Sequence, residues 1–417
     1  MIRIIFYLLS AFVGIYINVW YMLLILENKS KLLTRKKAKK FPKVSILIPA
    51  RNEEKNIGDT IKSVLSMDYP KDKLEVIAID NGSTDRTSEI ISTFKKVKLL
   101  SERKLGKANA LNKGLSMATG EIVGTLDADT LVNKDCLKKT IWYFEDQSVG
   151  AVTNFVKVDN EKGLLGKFQK VEYAFSAITK KLISILNSMY TTPGTLSLLR
   201  RDIIQEIKFS NDTLTEDMDI ALSIIKKGYK IVNSLDAVSY TIIPRGFRNL
   251  AKQRIRWYRG FIENTIKHAD LMLNKRFPHL GFFIFPMAYI TILIGIGFLS
   301  IVLLDFFNSL QLFIKSFFYI PIADQLSLVP GSIPRLDSIL MSSYSLISFI
   351  FIFSTSFVLL LYSLKLLPLS RLYFYDKKRC KRDIALLPFY MLGYYFLIML
   401  LWCFALFMEL FRWKKKW

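Results

Sequence analysis

Acidic residues directly follow two segments that are typical of buried β-strands. Residues 74–79 are followed by Asp80, and residues 121–126 are followed by the pair Asp127 and Asp129. In open α/β sheets, ligands bind at the carboxyl ends of the strands, so we expect these acids to lie at one edge of a sheet. Two carboxylates spaced as Asp-x-Asp in a turn can share a divalent cation whose other ligands are phosphate oxygens and water. An isolated pair is weak evidence, because acids in turns more often cap a helix.

A third acidic site and a basic, aromatic cluster follow further along the chain. The acidic site is a Thr-Glu-Asp sequence that ends at Asp217, and the cluster is Gln-Arg-Ile-Arg-Trp, residues 253–257. If the cluster is helical, Gln253, Arg256 and Trp257 lie at positions i, i+3 and i+4 and share one face. An amide, a guanidinium and an indole on one face could hold a diphosphate and stack on a sugar. As an isolated pattern, the cluster would more often be a solvated helix with one buried tryptophan.

The segment after the first predicted strand, residues 49–54, is a further candidate for nucleotide contact. Its Asn52 and Glu53 could meet the edge of a base or ribose, and the alternative is an ordinary helix start. The chain has no Gly-x-Gly-x-x-Gly after this strand and no Gly-x-x-x-x-Gly-Lys-Ser/Thr loop, so neither a dinucleotide fold nor a P-loop is supported. Three cysteines without CxxC spacing and two histidines indicate neither a disulfide framework nor a zinc site.

The middle of the chain has the pattern of an α/β domain. Short β-branched runs alternate with helical segments between residues 44 and 243, as in βαβ units around a largely parallel sheet. The predicted strands are residues 44–48, 74–79, 97–100, 121–126 and 149–158. The predicted helices are residues 53–67, 84–93, 106–118 and 134–146. This order places the acidic turns at the carboxyl ends of strands.

The flanking sequence is apolar enough to enter a membrane. Hydrophobic residues make up 51% of the chain, which contains 31 phenylalanines. Four uncharged runs reach the roughly 20 residues that a helix needs to cross a bilayer, and they predict about four spans, at residues 4–26, 280–304, 338–364 and 384–408. For the first run, the alternative is a cleaved signal peptide, which would have a shorter apolar region that ends in small residues.

The formal net charge of +24 raises the question of nucleic-acid binding, because a basic footprint is typical of proteins that bind nucleic acids. The basic residues, however, lie beside the predicted spans. Eight Lys or Arg and no acid occur between Lys29 and Lys43, and five more occur between Lys377 and Arg382. Basic residues next to spans mark the cytoplasmic side of a membrane. We therefore expect contact with membrane lipid and no binding of nucleic acid.

In their order and combination, the motifs closely resemble those of the processive family 2 glycosyltransferases. This family includes the cellulose, chitin, hyaluronan and bacterial poly-N-acetylglucosamine synthases. The resemblance covers residues 44–266, more than half of the chain. One departure is Asp80-Asn81, where many relatives have two aspartates. The motifs are Pro-Ala-Arg-Asn-Glu-Glu from Pro49, Asp-Asn-Gly-Ser-Thr-Asp from Asp80, Gly-Lys-Ala-Asn-Ala-Leu-Asn from Gly106, Leu-Asp-Ala-Asp-Thr from Leu126, Thr-Glu-Asp from Thr215 and Gln-x-x-Arg-Trp from Gln253.

The resemblance implies a GT-A-type nucleotide-sugar-binding domain, an α/β fold with a mostly parallel sheet, inserted between transmembrane helices. It also implies boundaries along the chain. These are an N-terminal transmembrane helix (residues 1–28), a basic juxtamembrane segment (29–43), a cytoplasmic glycosyltransferase domain (44–245), interfacial amphipathic helices with the Gln-x-x-Arg-Trp motif (246–279) and a transmembrane region of about three spans (280–417).

The resemblance further implies which residues bind the donor, a nucleotide-sugar. The uridine would be held by Asp80 and by residues 50–53, with Ala50, Asn52 and Glu53 as the contacts. Lys107 would lie near the nucleotide. The departure at Asn81 leaves the uracil contact intact if Asp80 makes it.

The remaining motifs imply the metal, the base and the acceptor side. Asp127 would bind the diphosphate, and Asp127 and Asp129 would hold its Mg²⁺ or Mn²⁺ ion. Asp217 would be the general base. The residues expected to close over the diphosphate and the end of the growing glycan are Gln253, Arg254, Arg256 and Trp257.

The implied chemistry follows from charge. A sugar hydroxyl is a poor nucleophile and a nucleoside diphosphate leaves with developing negative charge, so a base is needed on one side and a cation on the other. Direct displacement inverts the anomeric centre. The expected function is therefore a membrane-integrated inverting hexosyltransferase of the plasma membrane, with a multi-pass topology and a cytoplasmic catalytic domain. It would use a UDP-sugar, with UDP-N-acetylglucosamine as the expected donor, to elongate and translocate a β-linked polysaccharide.

Two alternatives remain open at the level of sequence. The first is a single transfer to a lipid acceptor such as a polyprenyl phosphate or ceramide, and the second is a membrane scaffold without turnover. The presence of both Asp-x-Asp and Thr-Glu-Asp disfavours the scaffold. Gln-x-x-Arg-Trp favours processive synthesis, although some lipid-glycosylating relatives carry it too. A homo-oligomer also stays open, because four spans enclose only a narrow path for a polymer and a second copy could complete it.

Overall fold

The computed structural model describes residues 2–32, 38–319 and 389–413. The strands are β1 (Val44–Ala50), β2 (Leu74–Asp80), β3 (Lys98–Ser101), β4 (Ile122–Leu126), β5 (Thr130–Val132), β6 (Val149–Val158), β7 (Thr195–Arg200) and β8 (Lys230–Thr241). The helices are α1 (Ile2–Glu27), α2 (Lys29–Leu32), α3 (Ile57–Leu65), α4 (Thr87–Ser92), α5 (Lys107–Met117), α6 (Cys136–Thr140), α7 (Gly163–Ile185), α8 (Arg201–Ile207), α9 (Glu216–Lys226), α10 (Phe247–Lys267), α11 (Phe285–Tyr319) and α12 (Tyr395–Leu410).

One sheet carries all eight of these strands, in the order β3-β2-β1-β4-β7-β6-β8-β5. The neighbours β3, β2, β1 and β4 are parallel, and so are β6 and β8. Antiparallel pairs join β4 to β7, β7 to β6 and β8 to β5. The predicted α/β architecture is confirmed, and its sheet is mixed, with four adjacent parallel strands in one half and a second parallel pair, β6 and β8, in the other.

The core is built from the apolar runs that the sequence shows. Strand β1 is buried along nearly its whole length, as expected for a central parallel strand with helices on both faces. Helix α3 contributes Ile57, Ile61 and Val64, at the spacing that places side chains on one helical face, to the core beside β1. This packing fixes the carboxyl ends of β1, β2 and β4 at the same edge of the sheet.

The chain divides into two compact units, residues 1–29 with 287–400 and residues 30–286 with 401–417. The second unit contains the sheet and α10. Within it, Trp402 stacks on Tyr258 of α10 with ring centres 4.0 Å apart, and the guanidinium of Arg259 donates to the carbonyl oxygen of Trp413 at 2.8 Å. The buried Arg259 also pairs with Glu409. Residues of the chain's last described segment therefore pack against α10.

Two described helices are long and apolar enough to cross a membrane, at residues Ile5–Glu27 and His279–Asn308. Their length and composition suggest association with a membrane. Within the first unit, Arg3 pairs with Asp305 at 2.8 Å, which joins α1 to α11. Of the four predicted spans, residues 338–364 lie outside the described residues. The described part of the fourth, residues 389–408, includes most of the shorter apolar helix α12, so a count of four is not established.

Gly120 is the point where the chain approaches β1 most closely before it enters β4. A Cβ atom there would lie 2.6 Å from the backbone nitrogen of Ser45 and 2.8 Å from the carbonyl oxygen of Lys43. Neither backbone atom can move without displacing β1. By contrast, a Cβ on Gly58 in α3 would meet only Ile90, at an ordinary 3.6 Å.

We therefore predict that Gly120→Ala lowers the free energy of unfolding by about 2 kcal/mol, because it overpacks the contact between β1 and β4. Gly58→Ala, the matched control, should leave stability unchanged or raise it by up to about 1 kcal/mol, since alanine favours helix. Thermal unfolding midpoints of the purified variants measure the difference. Equal midpoints would contradict the close approach at Gly120.

Candidate active site

A cleft of about 600 Å³ opens at the carboxyl ends of β1 and β2. Its shape depends on Asn81, the residue after β2, whose amide nitrogen donates to the carbonyl oxygens of Glu102 and Lys104. The amide oxygen of Asn81 accepts from the backbone nitrogen of Gly106 at 2.8 Å. Asn81 thus folds the loop before α5 into a wall of the cleft. The lining residues are Pro49, Ala50, Arg51, Asn81, Lys104, Leu105, Gly106, Lys107, Asn109 and Asn211.

The loops after β1 and β2 hold each other at the rim of this cleft. Ala50 and Asp80 are partners in the register of the two strands, and Asp80 is nearly buried. The backbone nitrogen of Asn52 donates to the hydroxyl of Ser83 at 3.1 Å, and the amide oxygen of Asn52 accepts from the backbone nitrogen of Thr84 at 2.8 Å. The structure therefore brings Ala50, Asn52 and Asp80 together, and it uses the Asn52 side chain to join the two loops.

Glu53, Asp127 and Asp129 form an acidic centre next to the cleft. Burial raises the pKa of Asp129 to about 6, and the charges of Asp127 and Glu53 add to the effect. Burial, Asp127 and Asp85 likewise raise the pKa of Glu53, against a hydrogen bond from Asn56 that lowers it. The three carboxylates repel one another, so a cation bound among them would relieve the repulsion.

The acidic centre suits a cation that the donor helps to ligate. Among the described residues, no group of three His, Cys, Asp or Glu side chains converges as a metal site supplied by protein alone. A Mg²⁺ or Mn²⁺ ion held by one or two carboxylates, water and phosphate oxygens needs no such group. The residues present therefore fit the predicted ion.

The turn that carries the two aspartates is fixed from both sides. The hydroxyl of Thr60 in α3 donates to the carbonyl oxygen of Ala128 at 2.8 Å, and the backbone nitrogen of Asp127 donates to the carbonyl oxygen of Gly194 at 2.7 Å. A Cβ on Gly194 would lie 2.3 Å from the carboxylate oxygens of Asp127. Only glycine lets the loop before β7 approach this carboxylate so closely.

Lys107, the first residue of α5, joins the acidic centre to the Thr-Glu-Asp motif. Its ammonium lies 2.7 Å from Oδ1 of Asp127 and 2.9 Å from Oε1 of Glu216. Burial lowers the pKa of Lys107, but the charges of Asp127 and Glu216 raise it more, and its pKa is above the ordinary value. Lys107 therefore stays a cation between Asp127 and Glu216.

Asp217 lies in the first turn of α9, next to Glu216. Its backbone carbonyl accepts hydrogen bonds from the backbone nitrogen and the hydroxyl of Thr192, at 3.1 and 2.9 Å. Burial raises the pKa of the Asp217 carboxyl to about 6, and the charge of Glu216 adds to the effect. A carboxylate with such a pKa is ionised at neutral pH and is basic enough to accept a proton.

Helix α10 holds the segment that carries this carboxylate. The buried amide of Asn264 donates to the carbonyl oxygen and the hydroxyl of Thr215, at 3.1 and 2.9 Å. A carboxylate oxygen of Glu263 accepts from the backbone nitrogen of Leu214 at 2.7 Å. Gly260 lies so close to Thr215 that a Cβ would meet its hydroxyl at 2.3 Å. The carboxyl-terminal half of α10 thus fixes the approach to Asp217.

The amino-terminal half of α10 carries the Gln-x-x-Arg-Trp motif, which is helical as predicted. Arg254 is fully buried, and its guanidinium donates to both carboxylate oxygens of Glu172 in α7, at 3.1 and 2.6 Å. It also donates to the amide oxygen of Gln253 at 2.5 Å and lies 4.3 Å from the ring centre of Trp257. These contacts favour a positioning role for Arg254, which orients Gln253 and Trp257, over the direct substrate contact implied by the resemblance.

Trp257 lines a second cavity, of about 80 Å³, with residues of α7 and β6. The pKa of Tyr173 in this cavity is raised to about 12, mainly by burial, and the charges of Asp129 and Asp127 are among its causes. The cavity therefore lies near the acidic centre. The lining residues are Asn154, Val156, Glu172, Tyr173, Ser176, Ala177, Lys180 and Trp257.

No motif in the sequence predicted the α7 residues of this second cavity. Helix α7 has a hydrophobic face and scattered polar residues, without a motif at fixed spacing. The polar residues at Glu172, Ser176 and Lys180 recur every four positions and so share one face of a helix. That spacing is the only signal in the sequence that could have identified them.

Comparisons with known proteins extend these observations. Residues 45–208 match the family described as Glycosyl transferase family 2. The chain is 33% identical over 245 residues to the poly-beta-1,6-N-acetyl-D-glucosamine synthase of Staphylococcus aureus (strain COL), covering 56% of this chain and 58% of the relative. It is 34% identical over 256 residues to the synthase of the same name from Staphylococcus epidermidis, covering 58% and 62%. The chain thus matches about three fifths of the length of these relatives.

A solved structure is similar over most of the chain. It is a mannosyltransferase from Pyrobaculum calidifontis in complex with GDP-Man and Mn²⁺, with a TM-score of 0.55, 22% identity and coverage of 83% of this chain and 97% of that chain. At this identity, the likeness bears on the fold alone. It supports the predicted GT-A-like α/β domain.

We predict that Arg254→Met destabilises the protein by about 3 kcal/mol, because it leaves the Glu172 carboxylate without its buried partner. Arg256→Met, the matched control two residues away on the half-buried face, should cost less than about 1 kcal/mol. Thermal unfolding of the purified variants measures both changes. The double variant Glu172→Met with Arg254→Met should have a higher unfolding temperature than Arg254→Met alone, since it leaves no unpaired buried charge. Equal unfolding of Arg254→Met and Arg256→Met would contradict the positioning role.

Proposed function

We propose that this chain, which belongs to the family 2 glycosyltransferases, elongates a β-linked polysaccharide by inverting transfer from a UDP-sugar, with UDP-N-acetylglucosamine as the donor. The observation that carries the proposal is the Lys107 bridge, which joins the acidic centre beside the nucleotide-sized cleft to the segment that carries a basic carboxylate. Donor and base are the two partners that such a transfer has to bring together.

The donor would occupy the cleft at the ends of β1 and β2. Its volume of about 600 Å³ lies within the range of small-molecule sites. Asp80, Ala50, Asn52 and Glu53 are the residues proposed to hold the uridine, and Lys107 lies beside the position of the diphosphate. The choice of UDP-N-acetylglucosamine rests on the names of the two staphylococcal relatives.

Asp127 and Asp129 are proposed to hold a Mg²⁺ or Mn²⁺ ion together with the diphosphate. Bound there, the ion would supply charge neutralisation for the departing diphosphate. The mutual repulsion of Glu53, Asp127 and Asp129 supports this assignment. Lys107 adds a permanent positive charge on the same side of the site.

The reaction is proposed to begin at the acceptor hydroxyl. Asp217 takes the proton of this hydroxyl as its oxygen forms a bond to the anomeric carbon of the donor sugar. The bond from that carbon to the β-phosphate oxygen breaks, and UDP leaves with the electron pair. Attack opposite the leaving group inverts the anomeric centre, so an α-linked donor gives a β-linked product. No covalent intermediate on the enzyme is needed.

The acceptor would enter from the side of α10. Trp257 offers an aromatic face to the terminal sugar, and apolar contact of this kind survives a slide by one residue. Gln253 and Arg256 lie on the same half-buried part of α10, and the charge of Arg256 acts on Asp217. This platform favours a growing glycan over a lipid phosphate, which would leave after one transfer.

The helices α1 and α11 are proposed to anchor the enzyme in the plasma membrane as part of a multi-pass region of about four spans. The basic residues between Lys29 and Lys43 favour a catalytic domain on the cytoplasmic side of the membrane. The cytoplasm is the compartment that holds nucleotide-sugars. The polymer would then pass between spans, with a second copy of the chain as an optional contributor to the path.

The size of the product tests the proposed function. Purified protein in detergent, given Mg²⁺ and radiolabelled UDP-N-acetylglucosamine, should form a polymer that a β-N-acetylglucosaminidase degrades. Omission of the metal and a panel of other UDP-sugars serve as controls. The contrary result would be free monosaccharide without polymer, and a single-sugar lipid once polyprenyl phosphate is added. Transfer to a lipid would then be the function in place of polymer synthesis.

We predict that Asp217→Asn lowers the transfer rate by about 10²-fold or more while UDP affinity stays within a few-fold of the parent, because loss of a base acts on the transition state. Initial rates and UDP titration measure the two quantities. Substantial residual transfer would show that another residue is the general base, and Glu216 would be the first alternative.

A further inference from the structure

Lys180 in α7 is a cation that the proposed mechanism leaves without a role. It lines the cavity of Trp257, Tyr173 and Ser176. Two other lysines of α7 have defined partners, since Lys170 pairs with Glu161 at 2.8 Å and Lys181 donates to the carbonyl oxygen of Asn233 at 2.9 Å. In the part of the chain that the structure describes, no hydrogen bond or ion pair engages the ammonium of Lys180.

The charge of Lys180 acts on the carboxylate of Asp217. Burial lowers the pKa of Lys180, and the negative charge of Asp217 opposes this effect. The positive charge of Lys180 in turn lowers the pKa of Asp217. The other charged groups that act on Asp217 are Glu216 in α9, Lys107 in α5 and Arg256 in α10. Lys107 is already bound to Asp127 and Glu216. Lys180 is therefore the cation whose donors remain available on the α7 side.

The cavity around Lys180, of about 80 Å³, is too small to enclose a whole sugar but has the composition of one edge of a saccharide subsite. The indole of Trp257, Val156 and Ala177 supply apolar surface, and the ammonium of Lys180 and the hydroxyl of Ser176 supply polar groups. Sites for small polar ligands combine such apolar walls with a few placed polar groups. The carboxylate of Glu172 also lines the cavity but is already bound by Arg254.

We propose that Lys180 binds the acceptor, by donating a hydrogen bond to a hydroxyl oxygen of the terminal sugar that stacks on Trp257. This inference rests on the proposed function and assigns the acceptor specificity of the same site to α7. A hydroxyl held by Lys180 fixes the rotation of the sugar about the indole face. The choice of the hydroxyl that reaches Asp217 then depends on α7 as well as on the Gln-x-x-Arg-Trp motif.

The test compares Lys180→Met with Lys180→Arg and with the control Lys170→Met, which removes the same charge from the same helix away from Asp217. The full-length variants receive Mg²⁺, UDP-N-acetylglucosamine and increasing amounts of a β-1,6-linked N-acetylglucosamine tetrasaccharide. Rates are measured across pH, and UDP affinity is measured separately by titration.

Lys180→Met should raise the acceptor KM by about tenfold, because a hydrogen bond from a charged donor is lost. Transfer requires ionised Asp217, so kcat/KM for the acceptor rises with pH through the pKa of this group. Loss of the neighbouring cation raises that pKa, and the midpoint should move to higher pH by roughly one unit. Lys180→Arg should keep the parental pH midpoint. Lys170→Met should keep both the parental acceptor KM and the parental pH midpoint.

A parental acceptor KM and a parental pH midpoint in Lys180→Met would overturn the inference while leaving the proposed function in place. Loss of UDP binding in both Lys180→Met and Lys180→Gln would also overturn it, because Lys180 would then serve the fold. Failure of the parent protein to extend the tetrasaccharide, with UDP binding intact, would count against the proposed function instead.

Discussion

The ion pairs of Lys107 with Asp127 and Glu216 connect the two halves of the site. Asp127 follows β4, in the parallel half of the sheet, and Glu216 begins α9, which reaches the site from the other half. Without a cation between them, the two carboxylates would face each other near Asp129 and Asp217, and the cost of burying four acids together would separate the halves. The positive charge also lies where a diphosphate would carry negative charge. One side chain thus joins the two halves of the fold and supplies positive charge to the site.

Helix α10 is the second connection. Its amino-terminal half places Trp257 in the α7 cavity through the pair of Arg254 with Glu172. Its carboxyl-terminal half holds Thr215 and Leu214, which precede the base, through Asn264 and Glu263. A movement of this helix would therefore shift Trp257 and the segment before Asp217 together. Trp402 and the carbonyl of Trp413 contact the same helix, so residues from the end of the chain share in its placement.

The charges of the site are graded from the nucleotide side to the acceptor side. Glu53, Asp127 and Asp129 concentrate negative charge beside the cleft, where a divalent ion and a diphosphate would be bound together. Around Asp217, cationic side chains from α5, α10 and α7 oppose the effect of burial. This balance leaves the carboxyl with a pKa of about 6, which suits the proposed role of accepting a proton.

The sequence by itself determined the α/β half of the fold and most of the residues proposed for the site. Strands β1, β2 and β4 are apolar runs followed by Asn52, Asp80 and Asp127, and such runs can be recognised because alternation, β-branching and turn residues are local properties. The helical form of Gln-x-x-Arg-Trp was likewise visible in its spacing. The order of the motifs along the chain predicted the resemblance to the family 2 glycosyltransferases, whose family model matches residues 45–208.

Only the tertiary structure decided how these residues are used. The sequence could not show that Arg254 is buried against Glu172, 82 positions earlier, because the partner of a charge depends on packing between distant elements. Strands β5 and β8 and the contribution of α7 were not predicted, for the same reason. Lys180 has the same side chain as Lys170 and Lys181 on the same helix. Its role as a neighbour of Asp217 comes from the fold, since the environment, and not the residue type, sets what a buried charge can do.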